Sequence, residues 1–375
     1  MQLKNGCMAV KLLDFIGLCG EVPVSLVRML PGYYDYNRRM VTALIREGYL
    51  KERRMKGYYR RIVRSLSLTE SGSNQLQRVS PGRAQHVRSH ALAPENGHGS
   101  WKKTLRLHRG AACLLAAMRL GAIWQPGSQK ESAMGEQLIY SMGEQLIYFS
   151  AYELAQKYGW DNKGARLSGI FVSRYYYYPV YYLGDSNLLW SEEAERMFLD
   201  RVASSPLGYG RTCGSSILLG DKWDLIENLM AHGVNPRSRL IRFSKNSSFH
   251  YFTVDEMGLR LMKLALDEMA LYRFQRYLQQ NGICKASMLP LYLFSLELLS
   301  EAYALKKGKQ MRAELDRGAL FSCQADVVKR ICNTGPNLIT IPDKCLLDLD
   351  TERDDSSDEL LLSPNATFLS QQSGM

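Results

Sequence analysis

The sequence predicts an α+β protein. Two observations lead there, and a third bears on the partner. The first eighty residues carry three short helical patterns followed by a hairpin pattern. From about residue 101 onward, helical and strand patterns alternate. An excess of positive charge is confined to the first third of the chain.

Taken in order, "MAVKLLDFIGLCG" (8–20) predicts a first helix that ends near Gly17 or Gly20. "VPVSLVRML" (22–30) predicts a second, with Pro23 in its first turn and Pro31-Gly32 as its stop. A third is expected from Asp35 to Glu47, with Asp35 as its N-terminal cap or charge and Gly48 as its close. "YLKERRM" and "YYRRIVRSLSLT" predict two strands joined at Lys56-Gly57, and Ile62, Leu66 and Leu68 supply the period-two spacing of a half-buried strand. "TESGSNQLQ" (69–77) predicts a short closing helix. This order, three helices, a two-stranded hairpin and a helix, is that of a winged helix-turn-helix over residues 1–78.

Residues 79–100, rich in Pro, Gly, Ser and His, predict a flexible basic linker. A mixed α/β domain is expected over 101–345. It opens with the helix "TLRLHRGAACLLAAMRLGAIW" and continues through the strands "LSGIFVS" and "PVYYLG", the helix "SEEAERMFLDRVA" and the strand "SSILLG". The helix "DKWDLIENLMAHG" follows, capped by Asp221, and then the strands "RLIRF" and "FHYFTV". Thr253-Val254-Asp255-Glu256 has the form of a capping box, ahead of a helix whose buried side carries Leu259, Met262, Leu266 and Met269. Residues 346–375 are acidic and polar and predict a disordered tail. "AMGEQLIY" (133–140) is followed at once by "SMGEQLIY" (141–148), a tandem copy too short to be a solenoid unit.

Net charge is +11, but residues 1–110 hold 20 lysines and arginines against 7 acidic residues, and the rest of the chain is close to neutral. Clustered positive charge on one small module points to a polyanion partner, double-stranded DNA. On the third helix, Tyr36, Met40 and Leu44, with Val41 and Ile45, form the expected inner stripe. Asn37, Arg38, Arg39, Thr42 and Arg46 are then the residues expected to face bases, since arginine bridges guanine edges and asparagine adenine edges. Arg53, Arg54, Lys56, Tyr58, Tyr59, Arg60 and Arg61 are the residues expected to reach phosphates or a minor groove from the hairpin.

No apolar run is long enough to cross a bilayer, and Asp14 interrupts the N-terminal stretch, so no membrane partner is expected. The eight cysteines form no CxxC pair, and the histidines at 86, 90, 98, 108, 232 and 250 form no His-x-His group. A cytoplasmic location with reduced thiols and no cofactor or metal is therefore expected. "GYGRTCGSS" (208–216) lacks the Lys-Ser/Thr of a phosphate-binding loop. "RYYYYPVYYLGD" (174–185) reads as strand core or aromatic interface, with stacking on a single strand as the other reading.

"DYNRRMVTALIREGYLKER" followed by "LSLTESGSNQL" resembles the N-terminal winged helix of bacterial regulators and plasmid proteins, over residues 8–78. The continuation "TLRLHRGAACLLAAMRLGAIW" and the α/β region after it are similar to the replication-relaxation family of plasmids and conjugative elements, over about residues 1–260. The resemblance implies a DNA-binding protein acting in replication, transfer or transcription control. It also implies a restriction-nuclease-like strand near 167–173, where Ser168 stands in place of the family's acidic residue. The expected function is thus non-enzymatic duplex binding, with the α/β domain serving a homodimer or a protein partner. The alternatives are a metal-dependent nuclease using Glu153, Asp161 and Asp185, or a protein-interaction scaffold.

Overall fold

The computed structural model describes residues 3–4, 6–30, 33–56, 62–81, 101–124, 146–160, 167–184, 192–226, 249–283, 317–331 and 337–348. They form a mixed α+β chain in two units, one of residues 1–118 with 123–142 and 362–375, the other of residues 119–122 with 143–361. Among the described residues no helix is long and apolar enough to cross a membrane.

The first unit begins with α1 (Met8–Cys19), whose Leu12, Leu13 and Ile16 are fully enclosed. Gly20 then turns the chain at φ 76°, a region that favours glycine. The second helix expected from the sequence does not form as such. Glu21–Pro23 is a short strand, β1, and Val24–Met29 is a 3-10 turn. Pro23 is held extended (ψ 137°), and residues 21–23 pair antiparallel with Ser65–Ser67. Helix α2 (Tyr34–Arg46) follows, then β2 (Leu50–Lys56), β3 (Ile62–Leu68) and α3 (Glu70–Val79). The sheet order is β1-β3-β2, antiparallel throughout.

Asp35 does not cap α2. It lies in the first turn, and Tyr33 holds the cap position without a side-chain bond. Thr69 does cap α3, accepting from the Gly72 N–H at 3.0 Å, and its hydroxyl donates to the Gly48 carbonyl at 2.6 Å. Gly72 is required by close approach, since a Cβ there would lie 2.1 Å from the Tyr49 carbonyl oxygen. Of the hairpin residues expected to alternate, Leu66 and Leu68 are buried but Ile62 is exposed.

Helix α4 (Trp101–Arg119) belongs to the first unit as far as Met118. Its Thr104 and His108 meet Arg53 of β2 and Ser65 of β3, which ties the helix to this unit.

The second unit is built on a mixed sheet of order β4-β5-β6-β8-β9. Strands β4 (Ile147–Ser150), β5 (Leu167–Val172) and β6 (Tyr176–Gly184) pair antiparallel. The strands β8 (Ser216–Gly220) and β9 (Phe249–Thr253) then continue in parallel, and β7 (Thr212–Cys213) pairs beside the start of β6. Every residue of β5 and β8 is buried, Ser168 and Ser216 included, so both faces of this part of the sheet are covered.

Helices α5 (Ala151–Tyr158), α6 (Glu192–Ala203), α7 (Glu256–Leu266) and α8 (Glu268–Gln280) accompany this sheet. A parallel pair, β10 (Arg317–Phe321) and β11 (Asn337–Ile341), is joined through α9 (Ser322–Ile331), and α10 (Asp343–Asp348) ends the described chain. The capping box expected at Thr253–Glu256 is not the one formed. Asp255 caps α7 by accepting from the Gly258 N–H at 2.8 Å, because Thr253 is still the last, fully buried residue of β9. On α7, Leu259 and Met262 are buried, Leu266 only partly. The linker beyond residue 81, the duplicated octapeptide up to residue 145, the strand 239–243 and the tail beyond residue 348 lie outside the described residues, as does the helix 221–233 beyond Ile226.

Candidate nucleic-acid interface

Helix α2 has two chemically distinct sides. Its buried stripe is Asn37, Val41 and Leu44, at the i, i+4, i+7 spacing of one face. Tyr36, expected inside, is half exposed and Met40 only partly buried. Val41 and Leu44 face inward as expected, but Asn37 takes the inward place expected of Tyr36. The Asn37 side-chain amide donates to the Leu30 carbonyl at 3.3 Å, tying α2 to the end of the 3-10 segment. Asn37 is thus corrected from a base-reading residue to a structural one.

The opposite side carries Arg38, Arg39, Thr42 and Arg46, all exposed, and with Asp35 and Ala43 they line an open depression. Arg38 and Arg39 make no ion pair with any described residue, so their guanidinium donors are available. Thr42 donates its hydroxyl to the Arg38 carbonyl at 3.0 Å, which leaves its oxygen as an acceptor. Tyr33 (87% exposed), Tyr34 and Tyr36 flank the N-terminal end of the same helix. Tyr36 is thus on the outside rather than in the expected inner stripe, and a wheel drawn from Asn37 puts it well away from the core direction.

On the hairpin, pleat alternation separates neighbours. Arg54 (69% exposed) and Lys56 point outward with Glu52, whereas Arg53 points inward with Met55. Glu52 accepts from Arg64 at 2.8 Å and from Arg54 at 3.2 Å. The Arg64 hydrogen bond is the main cause holding its carboxyl below the usual range; burial opposes it, and Arg54 adds a further, lesser lowering. Tyr58, Tyr59, Arg60 and Arg61 lie outside the described residues.

Arg53 is corrected from a phosphate contact to a core residue. It is 8% exposed and ion-paired with Glu21 of β1, and the same Nη2 donates to Thr104 of α4 at 3.0 Å. Ser65 donates to the second Glu21 oxygen at 3.1 Å, and its hydroxyl lies 2.9 Å from His108 Nε2. Burial pushes the His108 imidazole down to about 4; nearby Glu21 opposes that shift and Arg53 adds to it. This network ties β1, β2, β3 and α4 together, and no local pattern in the sequence announces it.

In the second unit, Glu153 is engaged in a capping box at the start of α5. The Ser150 N–H donates to its carboxylate at 2.7 Å, and Ser150 Oγ accepts from its backbone N–H. Burial raises the Glu153 pKa against the lowering effect of those bonds. Ser168 is buried on β5, and Asp161 and Asp185 lie outside the described residues. Among the described residues, no group of three or more His, Cys, Asp or Glu is placed to hold a metal ion. The tyrosine run divides by strand face, with Tyr177 and Tyr181 in the core and Tyr175 and Tyr176 exposed. No family model, curated protein or solved structure matches the chain.

Proposed function

We propose that the first unit is a winged helix-turn-helix that binds double-stranded DNA, with α2 entering the major groove and the β2–β3 hairpin resting on the backbone. One observation carries this reading. Arg38, Arg39, Thr42 and Arg46 gather on the exposed side of one helix, directly opposite a sealed stripe of Asn37, Val41 and Leu44. Exposed Arg54, Lys56 and Arg64 on the outer face of the hairpin add cations suited to phosphates. The element order of the unit and its β1-β3-β2 sheet support the same reading.

The biological setting we propose is a plasmid or conjugative element. There the protein acts in replication, transfer or transcription control, and the second unit serves self-association or a protein partner. Binding to labelled duplex, measured over a salt series, tests the core of the proposal. A log–log slope of about −4 to −7 is expected for contact with some five to eight phosphates. A slope near zero, or no retained duplex, would remove it.

A further inference from the structure

Asp35 is out of place on a basic surface proposed to meet a polyanion. It lies on the exposed side of α2, in the same depression as Arg38, Arg39, Thr42 and Arg46. It caps nothing, and its carboxylate accepts no hydrogen bond from any described residue. The stripe runs Asp35, Arg39, Thr42, Arg46, at spacings of four, three and four residues, so all four side chains share one line along the helix. A first-turn acid favours the helix dipole wherever it sits on the turn. That does not explain a place on the arginine line, where it weakens attraction to any phosphate.

We infer that Asp35 is a specificity residue that accepts a hydrogen bond from the N4 amino group of a cytosine in the major groove; this rests on the proposed DNA-reading role of α2. Cytosine is the base whose major-groove edge offers a donor with no acceptor beside it. Guanine and thymine present acceptors there, and adenine sets N7 next to its amino group. A carboxylate is therefore repelled or half-satisfied by the other three. Arg39 stands about 6 Å further along the helix axis, roughly two base-pair steps of ~3.4 Å, and its fork suits guanine O6 and N7. The recognised duplex thus contains a cytosine about two base pairs from a guanine.

The test is selection of bound fragments from randomised duplexes by the full chain, run for the native protein, Asp35→Asn and Asp35→Ala. The native protein is expected to enrich a fixed cytosine near a fixed guanine. Asp35→Asn should exchange that cytosine for adenine, because an amide matches adenine N6 and N7. Asp35→Ala should flatten the position, with about a tenfold loss of discrimination there, while binding unrelated duplexes more tightly. A native motif that neither variant changes overturns the inference and leaves duplex reading intact. Duplex binding without any enriched motif also overturns it. If no duplex is retained, the DNA-binding proposal falls and this inference with it.

Discussion

Arg53 and Glu21 form a buried ion pair joining β2 to β1, one residue away from an arginine that stands in solvent. Removing one partner of such a pair leaves an uncompensated charge in the interior. Arg53→Ala should therefore cost about 3–5 kcal/mol of unfolding free energy, whereas Arg54→Ala should change it by less than ~0.5 kcal/mol. Urea titration of the two variants checks this. A stable Arg53→Ala protein whose only defect is weak duplex binding would put the side chain back on the surface.

His108 gives the first unit a sensitivity to acid. Its folded pKa of about 4 lies below the ordinary value of 6.5, so the folded state resists the proton that the unfolded chain accepts. Stability is then intact above pH 6.5 and declines as pH falls toward 4, by up to about 3 kcal/mol. The charged groups facing it are Glu21, which eases its protonation, and Arg53, which opposes it. Unfolding midpoints at pH 7 and pH 4.5 should converge less for the native protein than for His108→Gln. Parallel pH profiles would count against it.

Arg38 and Arg39 should separate binding from folding. The double change to alanine is expected to leave the thermal midpoint within about 2 °C and to weaken duplex affinity at least tenfold, since each contact contributes about 1–3 kcal/mol. Anisotropy titrations at fixed salt decide it. Asn37→Ala should do the reverse, losing roughly 1–3 kcal/mol of stability through the orphaned Leu30 carbonyl.

Gly72→Ala places a methyl group 2.1 Å from the Tyr49 carbonyl oxygen, so α3 must shift away from the β2 entry. The expected cost is about 1–3 kcal/mol. Chemical denaturation measures it, and a neutral result would mean that α3 sits further from Tyr49.

Much of this architecture can be read in the chain itself. The strands around Arg54 and Leu66 follow from alternation and a bounded turn, and α3 follows from Thr69 ahead of an amphipathic decamer. β5 and β8 are short, predominantly apolar stretches, legible from that composition rather than from alternation. Asn37 is harder, because a polar residue qualifies for the interior only when a carbonyl meets it, and that carbonyl belongs to Leu30 at the far side of a turn. Arg53 depends on Glu21 and Thr104, 32 and 51 residues away, and no local periodicity encodes such partners. The 3-10 segment escapes notice because its apolar spacing looks helical, while the preceding three residues are claimed by Ser65–Ser67.

The placement of α4 bears on how the amino-terminal module can be isolated. A truncation after residue 80 keeps every strand and the arginine-bearing helix, yet it strips Thr104 from the Arg53 guanidinium and His108 from the Ser65 hydroxyl. It also exposes the part of β2 and β3 around Arg53 and Ser65 that α4 meets. Such a fragment should precipitate or expand on purification, and a cut placed past Met118 should give a well-behaved sample.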